Sequence, residues 1–362
     1  MTEQVRAVRA SAYTIPTEVP EADGTIAWDS TTLVLVEAEA GGCTGIGWSY
    51  GAAAGVDVVQ SKLADLVRDS DVDAVPGTNE AMRRALRNMG LPGIGATAVS
   101  AVDLALWDLK ARVHDVPLHR LLGTCRDRVP VYGSGGFTTF DDERLTAQLR
   151  GWVDAGIPRV KIKVGESWGT NVARDVARTR LARSVIGADV ELFVDANGGY
   201  TRKQAVRFWR TVSDADVTWF EEPVSSEDVE GLRVVCDAVD ADVAAGEYAY
   251  GLGDLHRLAP VVDVLQADIT RCGGVTGWLR AAAVAAGGQL QISSHCAPHA
   301  HLAVAAAVPN LRHIEWFSDH VRIESMLFDG AEDPVDGELP LPERPGHGMT
   351  WKAADAEKYR VA

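Results

Sequence analysis

Three carboxylates recur at equal distances in the second half of the chain. Asp195, Glu221 and Glu247 follow one another at intervals of 26 residues, and each closes a short apolar run. Such runs predict β-strands, so the three side chains are expected at strand ends. Three carboxylates in one place repel each other and stay ionised together only beside a cation. Because the ligand atoms are all oxygens, the spacing predicts a site for a hard divalent cation such as Mg²⁺.

Two lysines lie two positions apart in another apolar run, residues 160–164. Alternation along a strand puts Lys161 and Lys163 on one face and the aliphatic residues on the other. Adjacent cations lower each other's pKa, and a nearby metal ion lowers it further. We therefore predict a lysine general base with a lowered pKa. The alternative is an edge strand that exposes both lysines to water.

Further ionisable residues mark the last apolar runs. Asp268 and His295 end consecutive runs, and Glu315 lies within the final one. A carboxylate beside a histidine orients the imidazole and raises its basicity, so Asp268 and His295 predict a second acid/base group. The alternative for the histidine is a helix cap or a hydrogen-bonded position in the core.

Eight apolar runs must position these side chains. The runs are Val129–Ser134, Arg159–Val164, Val190–Asp195, Val217–Glu222, Asp242–Glu247, Val262–Asp268, Leu290–His295 and His313–Phe317. Helical stretches separate most of them, which predicts βα units on a parallel sheet, and eight such units predict a closed barrel. Barrel enzymes carry their chemistry at the C-terminal strand ends, where these ionisable residues fall.

The segment before the barrel has a different pattern. Residues 32–38 predict a strand, and Ser61–Val67, Asn79–Met89 and Ala96–Val113 predict helices. We expect an α+β domain over residues 1–125, the barrel over 126–322, and a C-terminal segment, 323–362, that returns to the first domain.

Composition limits the classes of function. The 362 residues carry a formal net charge of −16, which argues against nucleic-acid binding and against anionic membranes. The five cysteines are scattered and form no CxxC pair, so neither a disulfide scaffold nor a zinc site is expected. The N-terminus lacks an apolar signal core, and we expect a cytoplasmic protein.

These residues together resemble the enolase superfamily, and within it the mandelate racemase subgroup. The matching segments are Lys161–Lys163, Val194–Asn197, Glu221–Pro223, Gly246–Glu247, Asp268, Gly273–Thr276, Ser293–His295 and Glu315, with the helix at Ser100–Asp108. The resemblance covers nearly the whole chain. The muconate-lactonizing subgroup carries a lysine at the position of Asp268, which favours the racemase-like subgroup. The implied fold is a modified TIM barrel, (β/α)7β, with an α+β capping domain completed by the C-terminal tail.

The resemblance implies one Mg²⁺ ion on the three spaced carboxylates. It also implies that Lys163 is one acid/base group and that the Asp268–His295 dyad is the other, on opposite faces of the substrate. The proton beside a substrate carboxylate is a very weak acid, and its removal gives an enediolate dianion. Mg²⁺ and nearby cations would stabilise that charge as it forms.

The resemblance assigns supporting roles to four more residues. Lys161 would contact the substrate carboxylate and lower the pKa of Lys163. Glu315 would hydrogen-bond the developing enediolate. Asn197 and Ser134 match positions near the metal and the substrate.

Two reactions remain open on this reading. A substrate with a β-hydroxyl would lose water, and we expect such an acid-sugar dehydratase because this activity is the commonest in the subgroup. A substrate without one would be reprotonated on the other face by a racemase or epimerase of a hydroxy acid or an amino-acid derivative. A non-catalytic binding protein of the same fold is a third alternative.

The expected partners are a small-molecule carboxylate, an acid sugar, and further copies of the chain in a homo-oligomer. Specificity is expected from two capping loops. Thr17–Thr25 carries Glu18, Glu21 and Asp23, and Trp48–Ala52 carries Tyr50, which we predict to bind substrate. The alternative is that both are ordinary solvated loops.

Overall fold

The computed structural model describes residues 3–362, and the N-terminal part is built on an antiparallel sheet. Its strands are β1 (Ala7–Ala22), β2 (Ala27–Ala40) and β3 (Cys43–Tyr50), paired in that order. The strand predicted at residues 32–38 lies within β2. The sequence did not predict β1, which contains prolines, or β3, which contains glycines, because these residues also indicate turns.

The helix Ile94–Val113 packs on this sheet at close range. Gly45 and Gly47 of β3 make the approach possible. A Cβ atom on Gly45 would lie 2.3 Å from the nitrogen of Leu109, and one on Gly47 would lie 2.3 Å from the oxygen of Ala101. Glycine is therefore the residue that lets backbone meet backbone here.

The remaining helical segments of this domain are short. They span Gly55–Val58, Val59–Leu63 (a π turn), Ala64–Val67, Val72–Ala74 (a 3₁₀ turn), Val75–Ala85 and Leu118–Leu122. The predicted helix Asn79–Met89 is wrong at both ends. The helix begins at Val75, with Pro76 in its first turn, and ends at Ala85 before the turn at Gly90.

Eight parallel strands form a nearly closed barrel. They are β4 (Arg128–Gly135), β5 (Arg159–Lys163), β6 (Glu191–Asp195), β7 (Val217–Glu221), β8 (Asp242–Ala245), β9 (Val264–Ala267), β10 (Gln291–Ser294) and β11 (Ile314–Phe317). Neighbours pair in the order β10-β9-β8-β7-β6-β5-β4-β11. The ring closes between β10 and β11, where Ile292 N donates to Asn310 O and Arg312 N donates to Ile292 O. The eight predicted strands are confirmed.

Aromatic and aliphatic side chains fill the barrel interior. Tyr132, Phe193, Trp219, Ala244 and Val264 form a buried cluster of their own inside the ring. The barrel is thus a packed core and not a pore. Two residues further along three of these strands lie Ser134, Asp195 and Glu221, which are buried towards the C-terminal mouth.

Helices surround the barrel. The longer ones span Asp142–Asp154, Val172–Ile186, Arg202–Thr211, Val229–Cys236, Leu252–Leu258, Gly274–Gly287, Pro298–Ala307 and Ser318–Leu327. Local sequence starts several of them: the Asp141 side chain accepts from Arg144 N at 2.8 Å, and Thr201 with Gln204 forms a capping box.

The C-terminal tail returns to the N-terminal sheet. Its strands are β12 (Phe328–Asp329), β13 (Glu338–Pro340) and β14 (Thr350–Trp351); β12 pairs with β14, and β13 pairs with β4. At the end of the chain, Ala12 N donates to Ala362 O at 2.9 Å. The predicted completion of the capping domain by the tail is confirmed.

The predicted domain boundaries stay predictions, and residues 1 and 2 of the first domain lie outside the described part of the chain. Across residues 3–362, no helix combines the length and the apolar character that crossing a bilayer requires.

Candidate active site

The three spaced carboxylates meet at the barrel mouth. Asp195 ends β6 and pairs in register with Glu221, which ends β7. Glu247 lies two residues after the end of β8. Gly246, between them, has a φ of 139°, a backbone conformation that glycine adopts readily and other residues rarely adopt. All three side chains are buried, and one ligand oxygen from each lies within 4.8 Å of the others.

This donor set fits a hard divalent cation. Mg²⁺ binds oxygen ligands at about 2.0–2.1 Å, so small side-chain movements would bring the three carboxylates to one ion. Glu247 supplies a further indication, because its Oε2 is buried without a hydrogen-bond partner among residues 3–362. A buried carboxylate oxygen in that state is costly unless a cation or a ligand donor satisfies it.

Lys161 joins carboxylates from two sides of the barrel. Its Nζ lies 2.5 Å from Glu221 Oε1 and 2.8 Å from Glu315 Oε1. Burial lowers the pKa of Lys161, but these two carboxylates raise it more, and the resulting pKa is well above the ordinary lysine value. Lys161 is therefore a fixed positive charge at the mouth.

Lys163 forms an ion pair with Asp195. Both lysines point into the barrel, as alternation predicted, while Val160 and Ile162 are buried on the other face. Burial lowers the pKa of Lys163, but Asp195 and the other nearby carboxylates together raise it more, so the pKa lies above its ordinary value. The predicted lowering of the lysine pKa includes a metal ion beside the pair and stays a prediction. Among the protein's own groups, the carboxylate of Asp195 has a larger effect on Lys163 than the second lysine has.

The predicted histidine–carboxylate pair is present. His295 Nδ1 lies 2.8 Å from Asp268 Oδ2, and the other Asp268 oxygen accepts from the backbone and hydroxyl of Thr270. Burial raises the pKa of Asp268, but the hydrogen bond from His295 and the charge of Arg271 outweigh this effect. The pKa therefore lies below its ordinary value. An ionised Asp268 holds the Nδ1 proton of His295 and leaves Nε2 facing the mouth.

Lys163 and His295 stand across the mouth from each other. Lys163 ends β5 and His295 follows β10, and these strands are three steps apart in one direction around the ring and five in the other. His295 Nε2 is 3.4 Å from Glu247 Oε2, whereas Lys163 contacts Asp195. The two groups thus flank the carboxylate cluster from different sides.

Glu315 is held by two donors besides Lys161. Ser134 Oγ donates to its Oε1 at 2.6 Å and Cys296 N donates to its Oε2 at 2.6 Å, while its own backbone N donates to Ser294 Oγ at 3.0 Å. Burial raises the pKa of Glu315, but Lys161 and other cations lower it to below its ordinary value. Ser134 therefore joins the cluster through its hydrogen bond to Glu315.

Asn197 lies at the rim of the cluster. Its backbone N donates to Asp195 Oδ1 at 2.9 Å, and its side-chain Oδ1 is buried without a partner among residues 3–362. Glu222 has a similar unpaired oxygen, Oε1. Asn197 and Glu222 have positive φ values of 45° and 35°, respectively. Residues other than glycine adopt such backbone conformations only where their surroundings impose them.

A cavity of about 830 Å³ opens beside these two residues. Trp168, Ser225, Tyr248 and Tyr250 line it further out. The cavity reaches the rim of the carboxylate cluster at Asn197 and Glu222 and has room for a ligand of substrate size, but none of the three clustered carboxylates lines it.

Tyr50 lies apart from the cluster. Its hydroxyl donates to Glu324 Oε1 at 3.3 Å, and its ring stacks on His320 at 3.5 Å between centroids. These contacts occupy the polar end of the side chain, so its predicted contact with substrate stays a prediction.

Several residues at the mouth were missed by the sequence analysis. Cys296 Sγ lies 3.2 Å from His295 Nε2, and Arg271 lies 3.4 Å from Asp268 and 3.6 Å from Glu247. Arg271 follows β9 by four residues, so its position just after a strand end was a usable signal. The cysteine gave no signal beyond its place next to His295.

Comparison with known proteins agrees with this architecture. Residues 7–123 match the mandelate racemase/muconate lactonizing enzyme N-terminal domain, and residues 144–356 match the enolase C-terminal domain-like model. A mandelate racemase/muconate lactonizing enzyme-like protein from Rubrobacter xylanophilus is 50% identical. Its structure aligns with a TM-score of 0.96 over 99% of this chain and 100% of that one.

Relatives with stated activities fall into more than one class. L-talarate/galactarate dehydratase from Salmonella typhimurium is 29% identical over 96% of this chain and 89% of its own length. A racemase from Streptomyces coelicolor A3(2), solved with bound magnesium, is 28% identical, with a TM-score of 0.93 over 99% of this chain and 100% of that one. Because family models match both parts of the chain, it belongs to the enolase superfamily, in the mandelate racemase/muconate lactonizing enzyme family.

Proposed function

We propose that this protein is a magnesium-dependent acid-sugar dehydratase. It would remove the proton beside the substrate carboxylate and then eliminate the β-hydroxyl as water. The observation that carries the proposal is the placement of Lys163 and the Asp268–His295 dyad on different sides of one carboxylate cluster. The acid-sugar dehydratases and the magnesium-bound structure among the relatives support it.

Asp195, Glu221 and Glu247 would hold the metal. Magnesium, when bound, supplies a Lewis acid beside the substrate carboxylate and stabilises the charge that develops on its oxygens. Lys161 adds a fixed positive charge at the same place, because two carboxylates keep it protonated. Glu315, which accepts from Ser134 and Cys296, pairs with Lys161 and so holds this cation in place.

The two acid/base groups divide the proton transfers. One of them takes the α-proton, and the resulting enediolate expels the β-hydroxyl. His295 is suited to protonate that hydroxyl as it leaves, since Asp268 fixes its Nδ1 proton and its Nε2 faces the mouth. Carbon–oxygen cleavage with one proton removed and one returned releases water and the enol of a 2-keto-3-deoxy acid.

A racemase or epimerase is the second candidate. The same opposed pair favours it, because a proton removed on one face by Lys163 can be returned on the other by His295. Dipeptide epimerases occur among the relatives. The two candidates differ only in whether the substrate has a β-hydroxyl in a position to leave.

The test is a screen of the purified protein with Mg²⁺ against mono- and diacid sugars. Dehydration is followed as the semicarbazone of the 2-keto-3-deoxy product. We expect a substrate whose turnover falls by about 10²–10⁴-fold in Lys163→Met, while Lys203→Met, which removes an exposed lysine, leaves it unchanged.

Exchange of the α-proton in D₂O separates the candidates. Exchange without loss of water would contradict the dehydratase and support the epimerase. Absence of both reactions across hydroxy and amino acids would overturn the proposed chemistry altogether.

A further inference from the structure

The turn that follows His295 has an unusual backbone conformation. Cys296 and Ala297 have positive φ values of 53° and 40°, and the helix Pro298–Ala307 begins directly after them. Residues other than glycine keep such conformations only where their surroundings impose them. The position of the His295 side chain therefore depends on the groups that hold this turn.

Side chains of one neighbouring segment accept the backbone N–H groups of the turn. Cys296 N donates to Glu315 Oε2 at 2.6 Å, Ala297 N donates to His320 Nδ1 at 3.2 Å, and His299 N donates to Glu324 Oε2 at 3.4 Å. Pro298 has no N–H to donate. Glu315 lies in β11, and the other two acceptors lie in the helix Ser318–Leu327, which follows that strand directly. The three acceptors thus satisfy every backbone donor from residue 296 to residue 299.

Two of the acceptors also contact the capping domain. The ring of Tyr50 stacks on His320 with centroids 3.5 Å apart, and its hydroxyl donates to Glu324 Oε1 at 3.3 Å. Trp48 Nε1 donates to the same oxygen at 3.2 Å, and His299 Nδ1 lies 2.6 Å from Glu324 Oε2. All of these residues are buried. Strand β3 is therefore linked to the turn through His320 and Glu324.

His320 and Glu324 reach the reacting groups only by way of the turn. Within residues 3–362, neither of them hydrogen-bonds to His295, to Lys163 or to the three clustered carboxylates. Burial lowers the pKa of His320 to about 4, so its Nδ1 is unprotonated at neutral pH and accepts from the backbone. A displacement of the turn by about 1 Å would be felt at His295, because reaction rates fall by about 10²-fold for a misplacement of that size.

We propose that His320 and Glu324 are positioning residues that hold His295 at the mouth, and that Tyr50 of the capping domain acts through them. The inference rests on the proposed function, in which His295 protonates the leaving hydroxyl, and it adds the residues that set the position of this acid.

Replacement of His320 tests the role of its ring nitrogen. His320→Leu removes the acceptor for Ala297 N and keeps a buried side chain of similar size. We expect kcat on the substrate found in the screen to fall by about 10²-fold, with KM little changed because the metal ligands are untouched. His320→Asn places an amide oxygen near the position of Nδ1 and should recover most of the lost kcat.

His119→Leu is the matched control for the loss of a buried histidine. His119 is 6% exposed and His320 is 8% exposed. Both ring nitrogens of His119 are hydrogen-bonded, but to Thr124 and Pro342, far from the turn in sequence. We expect unchanged kcat in this variant even where its stability falls.

Alkylation of Cys296 reports the state of the turn without any substrate. Cys296 and Cys272 are 4% and 3% exposed, and Cys272 follows a different strand, β9. In His320→Leu, we expect iodoacetamide to modify Cys296 about tenfold faster, the change in a local opening equilibrium that loses one hydrogen bond. The rate at Cys272, measured by mass spectrometry in the same digest, should stay unchanged, whereas a general loss of stability would raise both rates.

Two variants of Tyr50 separate positioning from contact with substrate. Tyr50→Leu removes the ring that stacks on His320, and Tyr50→Phe keeps it. We expect Tyr50→Leu to raise the alkylation rate of Cys296 and Tyr50→Phe to raise it less. A higher KM in Tyr50→Leu at an unchanged alkylation rate would contradict the role given to Tyr50 and place it on the substrate.

The outcomes separate this inference from the proposed function. An unchanged alkylation rate of Cys296 in His320→Leu, or an equal rise at Cys296 and Cys272, would overturn the positioning role. Selective alkylation with full kcat in His320→Leu would overturn it as well. Absence of turnover in the parent protein would instead overturn the proposed function, and the alkylation rates would still decide whether His320 holds the turn.

Discussion

Individual residues at the mouth balance charge in a confined space. Lys161 is fully buried, and it is tolerated there because Glu221 and Glu315 both lie within 2.8 Å of its Nζ. Buried charges of this kind add little net stability, and removal of one partner leaves the other uncompensated. The cluster is therefore better explained by the charge that it presents to a substrate than by its contribution to folding.

Asp268 provides a prediction at the residue scale. In Asp268→Asn, the amide can donate to His295 Nδ1, which would then accept. His295 would lose the carboxylate that stabilises its protonated form, and with it the acid that protonates the leaving hydroxyl. We expect kcat to fall by about 10²–10⁴-fold, with the midpoint of thermal unfolding little changed because Oδ1 still accepts from Thr270.

The control for this variant is Asp268→Glu, which keeps a carboxylate for the imidazole. It is expected to recover part of the lost kcat. Full activity in Asp268→Asn, measured on the substrate found in the screen, would mean that the dyad does not fix the tautomer of His295.

At the scale of elements, the barrel strands end in distorted turns. Asn197, Glu222, Cys296 and Ala297 are non-glycine residues with positive φ, and all follow within three residues of a barrel strand. Such conformations cost about 1–3 kcal/mol each and persist where packing imposes them. In this protein they turn the chain so that side chains just beyond the strands face the mouth.

The β1–β2 hairpin gives a prediction for an element. Gly24→Ala would place a methyl group against backbone oxygens at the ends of β5 and β6, which have no freedom to move aside. We expect the hairpin to shift off the mouth and kcat/KM to fall by about 10²-fold, because a displacement near 1 Å has this effect on a reacting geometry.

Gly151→Ala is the matched glycine variant. Nothing lies within 4 Å of a Cβ atom there, and the residue is inside the helix Asp142–Asp154, so stability should rise by about 0.5–1 kcal/mol at unchanged activity. If both variants behave alike in steady-state kinetics and thermal unfolding, the hairpin has no part in the site.

The whole molecule ties the two ends of the chain together around the capping sheet. Trp351 of the tail packs on Tyr13 of β1 with ring centroids 4.9 Å apart. Further along, His347 N donates to Asp108 Oδ1 at 2.8 Å, and Asp108 Oδ2 accepts from Ile46 N. The tail thus fixes the capping domain, and with it the hairpin, over the barrel.

Metal binding should stabilise the folded molecule as a whole, because the three ligands come together only when β6, β7 and β8 are paired. A ligand at 100 times its dissociation constant adds about 2.7 kcal/mol to the free energy of unfolding. We expect Mg²⁺ to raise the midpoint of chemical unfolding accordingly, and Glu247→Gln to reduce this effect.

Glu227→Gln is the control, since it removes a cavity-lining acid outside the ligand set. An equal Mg²⁺ effect in the parent protein and in Glu247→Gln would place the ion elsewhere.

The sequence by itself determined which carboxylates, lysines and histidine meet at the mouth. The interval between Asp195, Glu221 and Glu247 is that of one βα unit, and parallel strands bring equivalent positions to one edge of the sheet. The same periodicity was enough to predict the inward direction of Lys161 and Lys163, the eight strands and the pairing of Asp268 with His295. These features depend on local patterns that repeat along the chain.

Only the tertiary structure decided the charges and the enclosure of the site. The pKa of Lys163 depends on its burial and on Asp195, a residue of the neighbouring strand, and the sequence gives no distance between the two residues. Strands β1 and β3 exist because they pair with β2, although their prolines and glycines indicate turns. The seating of Gly24 on the strand ends joins parts of the chain more than 130 residues apart. Such contacts depend on packing across the whole fold, which no local pattern records.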